Sequence, residues 1–188
     1  MRRNIILASA SPRRARLLRQ IGLSFTVDGS NVPEETDGYD SPREIVTDLA
    51  RKKAAEVALR HGEGLVIGAD TIVVLDGRVL GKPVDAPDAA RMLGLLSGRT
   101  HEVHTGFCII EKPGGRTVCD SEVTRVTFRE LSEGEIDAYV RTGSPMDKAG
   151  AYGIQDDFGA IFVERIDGCF YNVVGFPLTK FYMRFREF

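Results

Sequence analysis

Residues 9–14 read Ser-Ala-Ser-Pro-Arg-Arg, two hydroxyls followed at once by two guanidinium groups. An apolar run, Ile5-Ile6-Leu7-Ala8, leads in like a strand. Ser11 is a good N-cap, Pro12 suits the first helical position, and Gly22 follows as a stop, with Leu17, Leu18 and Ile21 as the apolar stripe of a helix. Arg13 and Arg14 therefore fall in the first turn, where the helix dipole is already positive and a cation is disfavoured by roughly 0.3–1 kcal/mol at an exposed site. A polyphosphate in that turn reverses the sign, because arginine grips phosphate oxygens through a planar fork and Ser9 and Ser11 add hydroxyl donors. Two solvated arginines on a surface helix account for the same letters equally well. The stretch is not a Walker A loop, since the glycines and the Gly-Lys-Ser/Thr ending are missing.

Asp70 is the candidate base. It follows the apolar run Leu65-Val66-Ile67 and the small pair Gly68-Ala69, which leave room for a ligand to come close. A carboxylate where a buried strand emerges can hold a metal or take a proton from water; it can equally cap a turn. Lys53 shares a face with Leu49 and Val57 at i, i+4, i+8, so it lies within an apolar stripe and either snorkels to the rim or points its ammonium into a cavity. Lys82 stands in the turn-forming Gly-Lys-Pro, and Lys148 in a glycine-rich stretch with Gln155 seven residues on. Glu34 and Glu35 sit in an acidic loop, where they could give a metal ligand or contact a base, or simply be solvated.

Several other chemistries are excluded. His101 and His104 are three apart in a strand-like stretch, so they face opposite ways, and no cysteine or histidine completes a zinc set. A Gly-x-Ser-x-Gly elbow for a serine nucleophile is absent. The formal net charge of −2 offers no positive field for nucleic acid, so anion recognition must be local. Cys108, Cys119 and Cys169 are few, odd in number and widely spaced, which argues against a disulfide framework and for small core-filling thiols in a reducing cytoplasm. The short N-terminal apolar run is too brief for a signal peptide or a membrane span.

The elements that must position these residues can be read from caps and turns. Ser41 and Glu44 make a capping box with Pro42 at the first position, and Gly62 ends the helix that carries Lys53. A strand over 65–69 continues through Val74 to an Asp76-Gly77 turn. A short helix follows and stops at Gly98; two long strands then pair about Gly114-Gly115. Ser132 and Glu135 cap another helix, stopped by Gly143. After the glycine-rich loop come a strand, Ile161–Ile166, and a terminal helix with Leu178, Phe181, Tyr182 and Phe185 as its apolar pattern. With 43% hydrophobic and 28% charged residues, the chain reads as one domain, 1–188, of the α/β class with a mixed sheet.

Taken together, SASPRR, GADTIV, GKP, LSGRTHEVHTG, DKAGAYGIQ and VVGFP resemble the Maf family of nucleoside triphosphate pyrophosphatases, in order and over about 5–178. The resemblance implies an elongated mixed sheet flanked by helices, with two lobes and a cleft, similar to the inosine triphosphate pyrophosphatases. It also implies hydrolysis of a nucleoside triphosphate to the monophosphate and pyrophosphate with Mg²⁺ or Mn²⁺. On this pattern Ser9, Arg13, Arg14, Lys53 and Lys82 bind the triphosphate, Ser11 and Lys148 joining them, and Asp70 activates water. Glu34 and Asp70 are the expected metal ligands, and Arg13, Thr71 and Gln155 govern substrate choice. The DKAGAYGIQ segment resembles the branch acting on dTTP and UTP. Asp156 and Asp157 depart from the pattern after Gln155 and leave the preferred base open. The resemblance further implies a cytoplasmic enzyme, a homodimer, a small-molecule substrate, and neither nucleic acid nor membrane as partner. The rival from another class is a non-catalytic regulator of cell division that works through a protein partner.

Overall fold

A computed structural model describes residues 4–155 and 157–188, Asp157 by its backbone alone; Asp156 and the Asp157 side chain, on which the departure from the family pattern turns, lie outside the described residues. Strand β1 (Ile5–Leu7) enters helix α1 (Pro12–Gln20), capped by Ser11, whose side chain accepts from the Arg14 N–H. After the short strand β2 (Thr26–Val27) an acidic loop leads to α2 (Pro42–Ala58). Strand β3 (Gly64–Leu75) turns into β4 (Arg78–Leu80), and α3 (Ala86–Leu96) follows. The hairpin of β5 (Thr100–Lys112) and β6 (Thr117–Phe128) precedes α4 (Glu133–Arg141). Short 3₁₀ turns, β7 (Val163–Asp167), α5 (Phe170–Val174) and α6 (Leu178–Phe185) complete the chain. The seven-stranded sheet runs β2-β1-β3-β5-β6-β7, with β4 beside β3. It is mixed: β1 pairs parallel with β2 and β3, while β3–β4 and β6–β7 are antiparallel.

The chain forms two compact units. The first comprises 1–71, 105–122 and 175–188, and the second 72–104 and 123–174. The first holds α1, α2 and α6. Its core brings Ile6, Ala8 and Val66 of the sheet against Ala50, Ala54, Val57 and Ala58 of α2, with Cys108 among them. Alanines on that face of α2 let helix and sheet approach closely. The approach is closest at two glycines: a Cβ on Gly68 would lie 2.2 Å from the Ala50 carbonyl oxygen, and one on Gly106 would lie 2.2 Å from that of Val46. The space beside Gly68 is therefore filled by the helix, not left for a ligand as the small pair Gly68-Ala69 suggests.

The second unit packs Tyr152, Phe128, Phe162 and Tyr139 in a chain of edge-to-face rings. Its α4 carries the reciprocal capping box expected at Ser132 and Glu135. The box expected at Ser41 is only half made. Ser41 accepts from the Glu44 N–H, but Glu44 reaches past the cap to the N–H of Asp40. The helix also ends at Ala58, short of Gly62, and Tyr182 of α6 is exposed while Leu178 and Phe181 are buried. The cysteine reading is corrected more sharply. Cys108 and Cys119 form a disulfide, directly across the β5–β6 hairpin with their Cα atoms 4.0 Å apart. Eleven residues of sequence separate them, a spacing without a motif, but the Glu111 N–H to Arg116 carbonyl bond sets the register that brings them opposite. Cys169 alone is a free thiol, and the inference from cysteine usage to a reducing compartment falls.

Candidate active site

Helix α2 places Lys53 on its buried face, 6% exposed, as its spacing predicts. The Nζ donates to Asp70 Oδ1 at 2.5 Å and to Glu34 Oε1 at 2.6 Å, so one ammonium gathers two carboxylates from separate parts of the chain. Asp70 does not sit at a strand end. It is interior to β3 and 4% exposed, and the backbone contact at Gly68 holds α2 close enough for Lys53 to reach it. Burial pushes the Asp70 carboxyl above its ordinary range; the charges of Lys53 and Arg14 and the Lys53 hydrogen bond oppose this, and Glu34 adds to it. A carboxylate with a raised proton affinity, kept charged by adjacent cations, is suited to accept a proton from water.

Glu34 is brought in by the acidic loop, which is tied at one end to residues just past α2 and at the other to α2 itself. Arg60 donates to Asp28 at 2.6 Å and to the Gly29 carbonyl at 3.2 Å, and His61 Nε2 lies 2.9 Å from Asp28. At the other end Tyr39 donates to Asp48 at 2.7 Å and Lys52 donates to Tyr39 at 3.0 Å. Glu35, the neighbour weighed with Glu34, is exposed.

A second cluster centres on Arg14. Its Nε donates to the Gly175 carbonyl at 3.0 Å, Nη1 to Ser9 Oγ at 3.1 Å and Nη2 to Thr71 Oγ1 at 3.0 Å. Burial lowers the guanidinium pKa, and the negative charges of Asp70 and Glu34 raise it again, so the arginine at the wrong end of a helix is offset within the protein by carboxylates. Ser9 Oγ also accepts from the Ser11 N–H at 3.3 Å. With both lone pairs engaged, its hydroxyl hydrogen is left to donate, and the Arg14 fork keeps further N–H donors on its open side. Arg13 is half-buried in the same helical turn. Hydroxyl and guanidinium donors beside a buried carboxylate suit an oxyanion such as phosphate.

Lys82, Lys148 and Gln155 belong to the second unit. The Gly150 N–H donates to the Gly81 carbonyl at 3.0 Å, joining the Gly-Lys-Pro turn to the glycine-rich loop, and Lys82 beside it is exposed. Lys148 is 8% exposed and turns into its own loop, donating to the Ser144 carbonyl at 2.5 Å, Ser144 Oγ at 3.2 Å and Asp147 at 2.8 Å. Gln155 is half-buried. His101 and His104 are separate as expected. His101 is buried against Tyr152, and His104 pairs with Glu102. Sequence reading missed Thr105 and Gly175, which complete the surroundings of Thr71 and Arg14: Thr105 Oγ1 lies 3.0 Å from Thr71 Oγ1. A threonine in a strand and a glycine before Phe-Pro carry no signal of their own.

A carboxylate beside hydroxyl and guanidinium donors is an arrangement that many enzymes acting on oxyanions could use, and it does not by itself single out one of them. Residues 4–188 match the model of the Maf-like protein family, and the chain belongs to that family. Among curated relatives, a dTTP/UTP pyrophosphatase of Bacillus cytotoxicus is 50% identical over 99% of this chain and 96% of its own length. One of Desulforamulus reducens is 48% identical over 99% and 97%. A solved structure of the Staphylococcus aureus Ham1 protein covers 66% of this chain and 71% of that one at 17% identity and a TM-score of 0.46, too loose a likeness to add to the fold. No helix among the described residues is long and apolar enough to cross a membrane.

Proposed function

We propose that this protein is a hydrolase that converts nucleoside triphosphates, dTTP and UTP foremost, to the monophosphate and pyrophosphate. The observation that carries the reading is the buried Lys53–Asp70 pair, with the Arg14–Ser9 donors built on α1 in the same unit. The relatives named dTTP/UTP pyrophosphatases, about half identical over nearly the whole chain, support the substrate. Asp70 takes a proton from the attacking water, and the oxygen adds at the α-phosphorus as the bond to the pyrophosphate oxygen breaks. Lys53 neutralises Asp70 in the ground state and holds it in place, while Ser9 and Arg14 donate to phosphate oxygens as charge builds on the leaving group.

Glu34 and Asp70 fit a divalent cation. Both contact one ammonium, so one cation can reach both; no third His, Cys, Asp or Glu completes a cluster among the described residues, and Mg²⁺ is commonly held by one or two carboxylates plus substrate phosphates. When bound, Mg²⁺ or Mn²⁺ supplies charge neutralisation to the polyphosphate. Lys82, Lys148 and Gln155 enter the proposal through the family pattern, as further substrate contacts, and Arg13, Thr71 and Gln155 as determinants of the base. The substrate class is the remaining ground for placing the enzyme in the cytoplasm.

The test is a product assay with dTTP and UTP in ¹⁸O-labelled water with Mg²⁺ or Mn²⁺. Pyrophosphate and a labelled monophosphate are expected. Release of orthophosphate overturns the reaction class, and label in the pyrophosphate overturns attack at the α-phosphorus.

A further inference from the structure

Thr105 has no part in the chemistry described above, yet its side chain is fully buried and its hydroxyl meets that of Thr71 at 3.0 Å. Thr71 Oγ1 already accepts from Arg14 Nη2 at 3.0 Å. A hydroxyl has one hydrogen and two lone pairs, so these two partners leave Thr71 a single hydrogen-bonding direction. With Thr105 as the donor of this pair, both Thr71 lone pairs are engaged and its hydrogen has one setting; without Thr105 that hydrogen could swing. Thr105 itself cannot shift, because its neighbour Gly106 lies against the Val46 backbone of α2, where even a methyl would not fit. On the other side, Gly175 (φ +119°) leaves open the place where a Cβ would stand 3.7 Å from Thr71 Oγ1 and 4.0 Å from Arg14 Nε. Thr71 itself is half-exposed, while Thr105 and Gly175 beside it are buried.

We infer that Thr105 donates to Thr71 and is a positioning residue that, together with Arg14, leaves the Thr71 hydroxyl hydrogen to bond one oxygen acceptor of the bound nucleotide. The inference rests on the nucleotide reading given above. An oxygen acceptor of that ligand is either a base carbonyl or a phosphate oxygen. One of these can be singled out by measurement, since the 4-carbonyl of uracil and thymine is replaced in cytosine by an amino donor while the 2-carbonyl and the phosphates are common to both.

The experiment titrates the protein with the non-hydrolysable α,β-imido analogues of UTP and CTP by calorimetry, comparing wild type with Thr105→Val and Thr105→Ser. Thermal unfolding checks that each variant is folded. Thr105→Val should weaken binding of the UTP analogue about 5- to 10-fold, the size of one lost neutral hydrogen bond, and Thr105→Ser should restore it to within about 2-fold. A loss confined to the UTP analogue places the acceptor at the 4-carbonyl of the base; an equal loss for both places it on an oxygen that the two nucleotides share, the 2-carbonyl or a phosphate. If valine is not accommodated, Thr105→Ala removes the same hydroxyl with less bulk. Unchanged binding in a folded variant without the hydroxyl, or a serine variant as weak as the valine one, overturns the inference. A wild type that binds the UTP analogue yet releases no pyrophosphate from UTP overturns the proposed reaction and leaves the Thr105 comparison standing, whereas a wild type that binds neither analogue overturns both.

Discussion

Asp70 in the first unit and His101 in the second are both buried titratable side chains, and burial pushes each toward its uncharged form, yet their surroundings answer that push in opposite ways. Asp70 is met by Lys53 at 2.5 Å and lies within the field of Arg14, so opposite charge resists the rise in its pKa. His101 is met by Tyr152 at 2.7 Å and by the edges of the Phe128 and Tyr152 rings, with no charge to resist; burial carries its pKa down to about 4, and its Nδ1 has no partner among the described residues. A buried ionisable group remains available for proton transfer only where neighbours hold its charged form. Without such neighbours it becomes part of the core.

The strongest way to break this contrast is Asp70→Asn. Turnover of UTP should fall by about 10²-fold or more, as expected when a general base is removed, while the fold survives because asparagine keeps the shape and Lys53 keeps Glu34. A variant that turns over like wild type, or that merely unfolds, would make Asp70 a structural acid. The acid limb of the wild-type rate profile should also lie above the range of a free aspartate, since the base must be deprotonated and its pKa is raised.

His101 should instead show in stability. Its folded pKa of about 4 lies below an unfolded value near 6.5, so the unfolded chain takes up the proton first. The stability present above pH 6.5 is lost as the pH falls toward 4, by about 3 kcal/mol in all. Chemical denaturation of wild type and His101→Phe across that window checks this, and parallel slopes for the two proteins would refute it.

The smallest effect belongs to an intermediate case, Tyr39, Asp48 and Lys52, where charges are paired but wet. Burial acts to raise the Asp48 pKa, but hydrogen bonds from Lys52, Tyr39 and Arg51 outweigh it and hold the value near 2. Tyr39→Phe should cost about 1 kcal/mol or less, with the loss shrinking in high salt, as thermal unfolding can show.

What could be read from the residues follows from the range of each interaction. Lys53 was legible because a helix repeats every few residues, and a lysine amid Leu49 and Val57 announces a buried ammonium. That Ser9 and Arg14 come together was legible because both lie at one strand-to-helix junction. Thr71 and Thr105 are 34 residues apart, and nothing in either stretch says that their hydroxyls meet. The disulfide was hidden for the same reason, being fixed by hairpin register, and Gly68 was misread because a missing side chain does not say what fills its place. Lys148 was legible as a cation in a glycine-rich loop, but not the contacts that its ammonium makes with Ser144 and Asp147.

The contacts at Gly68 and Gly106 carry a last consequence for how this centre can change over time. Helix α2 rests on the sheet through main chain at both points, with no side chain serving as a shim. Exchanging the larger core residues, Leu49 or Val57 for instance, can alter stability while these main-chain contacts still set how closely α2 approaches the sheet. The distance from ammonium to carboxylate is thus insulated from ordinary drift in the core, and adjustment of the centre is left to the strapped loop that bears Glu34.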